Sequence, residues 1–257
     1  MKYIDTHAHY IHRLFNQDRH DLLRQLLNEH VEYIIECGTN EKANTGTLKL
    51  ATRYENIYAV IGFFPQDTRN LDTPGVFEAF QKQLQHPKVI GLGEIGLDYY
   101  HPHNKEQQQY WFKKQLELAR ETNLPVCIHS RNAEQDTNDI LVAHGPNTGV
   151  IHCYAYGPET MKLLSELGYY FGVGGTSTYK NNTELREAIQ LMPLDRIVLE
   201  TDCPFLSPAA VRRERNDSSK IAYVIEELAE LKDTTVDGII TASNENVRRL
   251  YPKMFAK

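Results

Sequence analysis

The chain has 257 residues, with 34 Asp and Glu against 28 Lys and Arg, a formal net charge of −6 and 41% apolar residues. That composition excludes a wholly disordered chain and supplies the apolar side chains of a large core, while the net charge does not supply the overall basic surface that tight binding along a nucleic acid duplex needs. A length of 257 residues is normal for one α/β barrel, so residues 1–257 are expected to form a single domain.

At the N-terminus Lys2-Tyr3-Ile4-Asp5 shows neither a basic nor an apolar leader pattern, and no stretch reaches about 18 uninterrupted apolar residues. A cytoplasmic monomer without membrane contact is expected. Short β-branched runs then alternate with longer amphipathic segments, the pattern of repeated βα units. The strand candidates are Tyr3 to His9, Val31 to Cys37, Ile57 to Phe63, Val89 to Gly93, Val126 to His129, Val150 to Cys153, Tyr169 to Val173 and Ile197 to Thr201. Four of these hold cysteines or lead into one (Cys37, Cys127, Cys153 and Cys203); with no CxxC pair, they read as reduced, small apolar strand residues. Asn104 to Glu121 repeats Phe112, Leu116 and Ala119 at helical spacing behind an Asn104 N-cap. Arg212, Arg213 and Arg215 read as a solvated basic face. Ser219 to Leu231 and Val236 to Leu250 read as two closing helices, and no Pro, Gly or Ser-rich linker divides the chain.

Polar residues able to do chemistry recur at the C-terminal ends of the first, fourth, fifth, sixth and eighth strands. Such ends spread along a line in an open sheet but converge on one mouth in a barrel. The expected fold is therefore α/β, a single (β/α)8 TIM barrel.

Asp5-Thr6-His7-Ala8-His9 places two imidazoles on one strand face, because side chains alternate, and two such rings can grip one metal. Two part-buried histidines meeting core polar groups would share the pattern. His129 and His152 each end an otherwise apolar strand, where an unpaired buried ring is costly and a cation is a ready partner. The run from Gly91 to Asp98 formally satisfies a dinucleotide-binding GxGxxG, but it leads to Tyr99-Tyr100-His101-Pro102-His103 instead of into a helix. Its glycines instead clear room for Glu94 to reach the mouth, where one carboxylate can bridge two cations. Glu200-Thr201-Asp202 sets two carboxylates on one face: Asp202 can bind metal and accept a water proton, and Glu200 can act from behind, although Asp202 could instead cap a turn. His101, His103 and His144 read as loop or surface residues, and Trp111 and the tyrosines as packing.

Taken together, Asp5-Thr6-His7-Ala8-His9, Gly93-Glu94-Ile95-Gly96-Leu97-Asp98-Tyr99, Ile128-His129-Ser130-Arg131, His152-Cys153 and Glu200-Thr201-Asp202-Cys203-Pro204 resemble the TatD family in order and spacing over nearly the whole chain. The resemblance implies an amidohydrolase-like barrel with two divalent cations (Zn, Mn, Mg, Ni or Co). One would be held by His7, His9 and Asp202 and the other by His129 and His152, with Glu94 bridging. It also implies a metal-dependent deoxyribonuclease, a 3′–5′ exonuclease acting on single-stranded DNA or RNA 3′ ends, with Asp202 and Glu94 catalytic. Candidate substrate contacts are Arg131, whose planar fork suits phosphate, with Glu200 and Asn216; an ion pair at the mouth would also explain Arg131. Two departures stand out. Gly62-Phe63-Phe64-Pro65-Gln66 lacks the two histidines of the family's Gly-x-His-Pro-His, and Arg215-Asn216-Asp217-Ser218 replaces Arg-Asn-Glu-Pro. Metal ligation is untouched by either, so the same ligands also suit hydrolysis of an ester or amide carbonyl such as a lactone, cyclic amide or aminoacyl-tRNA, or a metal-containing binding module without turnover.

Overall fold

In the computed structural model, which describes residues 1–100, 104–145 and 148–256, eight parallel strands pair in chain order. They are β1 (Tyr3–Ala8), β2 (Val31–Cys37), β3 (Ile57–Ile61), β4 (Val89–Asp98), β5 (Val126–Arg131), β6 (Gly149–Ile151), β7 (Tyr170–Val173) and β8 (Ile197–Leu199). The ring closes through a parallel bridge between Ala8 and Cys203, where the Asp202 N–H donates to the His7 carbonyl and the His9 N–H to the Cys203 carbonyl, each at 2.9 Å. Barrel closure thus runs through three of the expected metal ligands.

Outside the barrel lie α1 (Arg19–Glu29), α2 (Glu41–Arg53), α3 (Val76–Gln83), α4 (Lys105–Glu121), α5 (Glu134–His144), α6 (Pro158–Glu166), α7 (Thr183–Leu191), α8 (Ile221–Leu231) and α9 (Val236–Leu250). Asn104 caps α4 as expected, its side chain accepting from the Gln107 N–H at 3.1 Å. No described helix is long and apolar enough to cross a membrane.

Both faces of the sheet are buried, so two cores form. The outer one fills the space between strands and helices around residues such as Phe112, Leu116, Ile128 and Phe171. Inside the barrel every strand contributes: Ile4, Ile35 and Cys37 (both from β2), Val60, Ile90, Cys127, Val150, Tyr170 and Val198. The strand N-terminal ends are closed by Val247, Leu250, Tyr251 and Met254 at and beyond the end of α9, which leaves only the opposite, C-terminal mouth open for chemistry.

Only β2 and β7 end where expected: β1, β3 and β6 stop one or two residues early, at Ala8, Ile61 and Ile151, β5 runs on to Arg131, and the ends of β8 and β4 bear most on the site. Strand β8 stops at Leu199 instead of Thr201, so Glu200 and Asp202 lie on the connection beyond it. Strand β4 continues through the glycine-rich run to Asp98, where the sequence suggested an end at Gly93. Its pairing with β5 steps from Leu92↔Val126 to Ile95↔Ile128, three residues against two. That is a bulge, and it re-aims Glu94 toward the mouth. Strand β1 has the same irregularity between Asp5 and Ala8, around His7. His101 and His103 lie outside the described residues, and His144 is a half-buried residue in the last turn of α5.

Candidate metal centre

At the mouth the six expected ligands meet. Glu94 is 3% exposed, and its two oxygens are divided between two groups of histidines. Its Oε2 lies 3.4 Å from His7 Nε2 and 3.6 Å from His9 Nε2; its Oε1 lies 3.1 Å from His129 Nδ1 and 2.9 Å from His152 Nε2. Asp202 joins the first group, with Oδ1 at 3.6 Å from His7 Nε2 and 3.3 Å from His9 Nε2. It reaches in from a left-handed backbone conformation, φ 58°. The His7 and His152 rings stack between the groups with centroids 3.9 Å apart.

Whether this donor set suits a cation can be judged from its nitrogens. His7 Nε2 faces His9 Nε2 at 3.1 Å, and His129 Nδ1 faces His152 Nε2 at 3.1 Å. In the first pair the proton positions are constrained from outside. His9 Nδ1 is 2.9 Å from the Cys37 carbonyl, which can only accept, so the neutral ring keeps its proton there and turns a bare lone pair inward. His7 Nδ1 lies 3.3 Å from Cys127 Sγ and 3.4 Å from Cys37 Sγ, which leaves its Nε2 directed at Glu94 and Asp202. Bare ring nitrogens converging with two carboxylates in a buried pocket are the chemistry of a divalent-cation site.

The second pair is backed by carboxylates. Asp98 Oδ2 lies 3.7 Å from His129 Nε2 and Glu200 Oε1 lies 3.9 Å from His152 Nδ1, while both ring nitrogens are otherwise without hydrogen-bond partners among the described residues. Burial would push Glu94 up, but His152, His129 and His7 around it hold its carboxyl well below the usual range. Asp202 is likewise held low against its burial by His9, then His7 and His152. Glu200 goes the other way: burial, only partly offset by His152 and His7, raises it to about 7.

Other buried groups fix the ligands and were not identified from the sequence. Asp5 is fully buried and accepts from the His7 N–H, the Thr201 N–H and hydroxyl, and the Ser218 hydroxyl, tying β1 to the connection after β8. Glu36 accepts from the N–H groups of Tyr10 and Ile11, holding the chain just beyond His9. Cys37 and Cys127, read as plain apolar residues, are buried as expected but also face His7. A buried Asp at the start of a strand is the one signal of this network that the sequence offers.

The three expected substrate contacts separate. Arg131 ends β5 exposed, lines the mouth and lays its guanidinium over the Tyr100 ring at 3.7 Å. Glu200 is corrected: it is 1% exposed, sits behind His152 and accepts from the Cys153 N–H, so it does not face a substrate. Asn216 is corrected as well. Its buried amide donates to the Thr201 and Phe205 carbonyls and braces the loop that carries Asp202. Where the two histidines are missing, the Phe64 ring meets His129 edge-on at 4.6 Å, and Gln66 donates to Asp98 at 3.0 Å. The mouth opens into a cavity of about 1090 Å³ that runs from Glu94, His129, His152 and Asp202 past Phe64, Gln66 and Phe205 to α2.

Residues 4–252 match the family described as TatD related DNase. The chain is 36% identical over 251 residues to the metal-dependent hydrolase YabD of Bacillus subtilis, covering 96% of this chain and 98% of YabD. It is 31% identical over 254 residues to the metal-dependent hydrolase YcfH of Escherichia coli, covering 96% and 95%. Among solved structures, the TatD homolog YjjV of E. coli superposes with a TM-score of 0.91 at 32% identity, covering 97% of this chain and 98% of YjjV.

Proposed function

Because the chain belongs to the TatD family of metal-dependent hydrolases, we propose that it cleaves phosphodiester bonds as a deoxyribonuclease acting on single-stranded 3′ ends. His7, His9 and Asp202 would hold one divalent cation, His129 and His152 a second, and Glu94 would bridge them. The support is the division of the Glu94 oxygens, each facing its own pair of imidazoles at 2.9–3.6 Å. When bound, the cations supply Lewis acidity, lowering the pKa of water toward neutrality and offsetting charge on the phosphoryl oxygens.

The chain's own residues do the rest. Asp202, held ionised by His9, accepts the proton of the attacking water. Arg131 grips two phosphate oxygens from the rim, its plane kept in place by Tyr100. Asp98 and Glu200 orient the outer nitrogens of His129 and His152. The imidazoles suit zinc, nickel or cobalt, and the carboxylates and a phosphate suit magnesium or manganese.

A second reading, attack on an ester or amide carbonyl, is favoured by Phe64 and Gln66, which take the places of two polar rings beside His129. Parallel assays separate the two. Metal-reconstituted protein is given a single-stranded oligonucleotide with a free 3′ end and, separately, a panel of lactones, cyclic amides and aminoacyl esters. Stepwise loss of 3′ nucleotides is the expected result. Turnover confined to the carbonyl panel would overturn the nuclease assignment, and Arg131→Ala is expected to lower kcat/KM on the oligonucleotide about 10- to 100-fold.

A further inference from the structure

The cavity is longer than the metal centre requires. Beyond Thr39 and Asn40 it is lined by Lys42, Ala43, Gly46, Lys49, Leu50 and Arg53, which recur at helical spacing and form one stripe of α2 along nearly its whole length. At about 1.5 Å per residue the stripe from Lys42 to Arg53 is roughly 16 Å long. The facing wall is the segment from Ile11 to His20: Ile11 packs on Gly46, and His20 Nδ1 lies 2.9 Å from the Tyr54 hydroxyl. Ala43 and Gly46 keep the floor low between the longer side chains.

Charge is distributed unevenly along this cavity. Its acidic lining residues are Glu94 and Asp202 at the centre, Asp98 beside His129, and Asp67, which accepts from Asn40 at the start of α2. The arm beyond has Arg13, Arg19, Lys42, Lys49 and Arg53 and no acid among the described lining residues, in a chain whose net charge is −6. Arg19 is engaged with the carbonyls of Tyr10, Ile11 and His12 and with Asn16. Lys42, Lys49 and Arg53 are exposed on the cavity side of α2.

We propose that this arm is a binding track for the sugar-phosphate backbone of a single nucleic acid strand whose end lies at the metal centre, with Lys42, Lys49 and Arg53 contacting phosphates spaced along it. A stretch of roughly 16 Å matches about five nucleotides of a stacked strand at roughly 3.4 Å each, and fewer of an extended one. Phe205, 47% exposed on the cavity rim, offers a stacking face for a base near the centre. A small ester or amide would have no use for a row of cations this far from the reacting atoms. The proposal rests on the nuclease reading of the centre but can fail separately from it.

Binding is measured by fluorescence anisotropy of a labelled single-stranded DNA 12-mer with metal-stripped protein, so that no cleavage enters the readout. Lys42→Glu/Lys49→Glu/Arg53→Glu is compared with wild type and with Lys82→Glu/Arg120→Glu/Lys162→Glu, three exposed cations away from this cavity. The track variant is expected to bind at least about tenfold more weakly and to lose about 2 from the slope of log K against log salt, at about 0.7 per phosphate contact. The control variant should bind like wild type. In metal-loaded protein the KM penalty should grow from a dinucleotide to the 12-mer. Equal binding by the track variant and wild type, or an equal loss in the control, overturns the proposal. A wild type that binds the 12-mer through these residues yet cleaves neither substrate would keep the track and remove the nuclease reading.

Discussion

At the level of single residues, the ligands are held by groups hidden behind them. Asp5 shows this most clearly: four donors from His7, Thr201 and Ser218 end on one buried carboxylate. Burial raises it to about 6, against the hydrogen bonds from Ser218 and Thr201 that lower it. Asp5→Ala would leave those donors unpaired in the interior, and a loss of about 3 kcal/mol is expected in denaturant unfolding, with weaker metal affinity because the backbone carrying His7 and Asp202 loosens. A variant as stable as wild type would show that the network is dispensable. The same residues mark what could be read in advance. His7, His9, His129, His152 and Asp202 were legible because a polar group at the end of an apolar strand needs a partner. Asn216, and Glu200 as a substrate contact, were misassigned because their partners, the Thr201 and Phe205 carbonyls and the ring of His152, are brought to them only by the folded chain.

At the level of elements, β4 was read too short and holds the residue that matters most. Glycines at 91, 93 and 96 have low strand propensity, so the run from Gly93 to Asp98 resembles a loop. Its role is close approach. Gly96 has φ +136°, and a Cβ there would come within 1.9 Å of the His129 carbonyl oxygen, while its cross-strand partner in β5 is His129 itself. Glu94 and His129 can face each other because β4 carries no side chain at Gly96, where it lies against the His129 backbone. Gly172 on β7 plays a similar part for Glu200, whose Oε2 would lie 2.0 Å from an added Cβ. Gly96→Ala is expected to cost at least about 2 kcal/mol through the backbone conformation alone and to lower metal affinity with it, read by calorimetric titration of metal into the stripped variant. Wild-type affinity in that variant would mean that β4 can shift without moving Glu94. The helices were the easier part: Asn104 capping α4, and the bounds of α9, follow from patterns within a few residues of each other.

Across the whole molecule, the barrel is plugged at one end and closed at the other through the centre itself. The strand N-terminal ends are filled by α9 and Tyr251, whereas the β1–β8 seam at the mouth consists of hydrogen bonds among His7, His9, Asp202 and Cys203. Cations bridging His7 and His9 to Asp202 would therefore also tie the first strand to the last. Ligand that binds only the folded state stabilises it by about 2.7 kcal/mol at a hundred times Kd, so chelation is expected to lower Tm by roughly 5–10 °C. An unchanged Tm after chelation would place the cations outside the seam.

The most direct test is to count metal in the wild type and in Glu94→Ala after reconstitution and dialysis, alongside hydrolysis of a 3′-labelled single-stranded oligonucleotide by the same samples. The bridging role of Glu94 predicts two equivalents per chain in the wild type, one or fewer in the variant, and metal-dependent removal of 3′ nucleotides that disappears with the second equivalent. A variant that retains two equivalents and cleaves like wild type would contradict it.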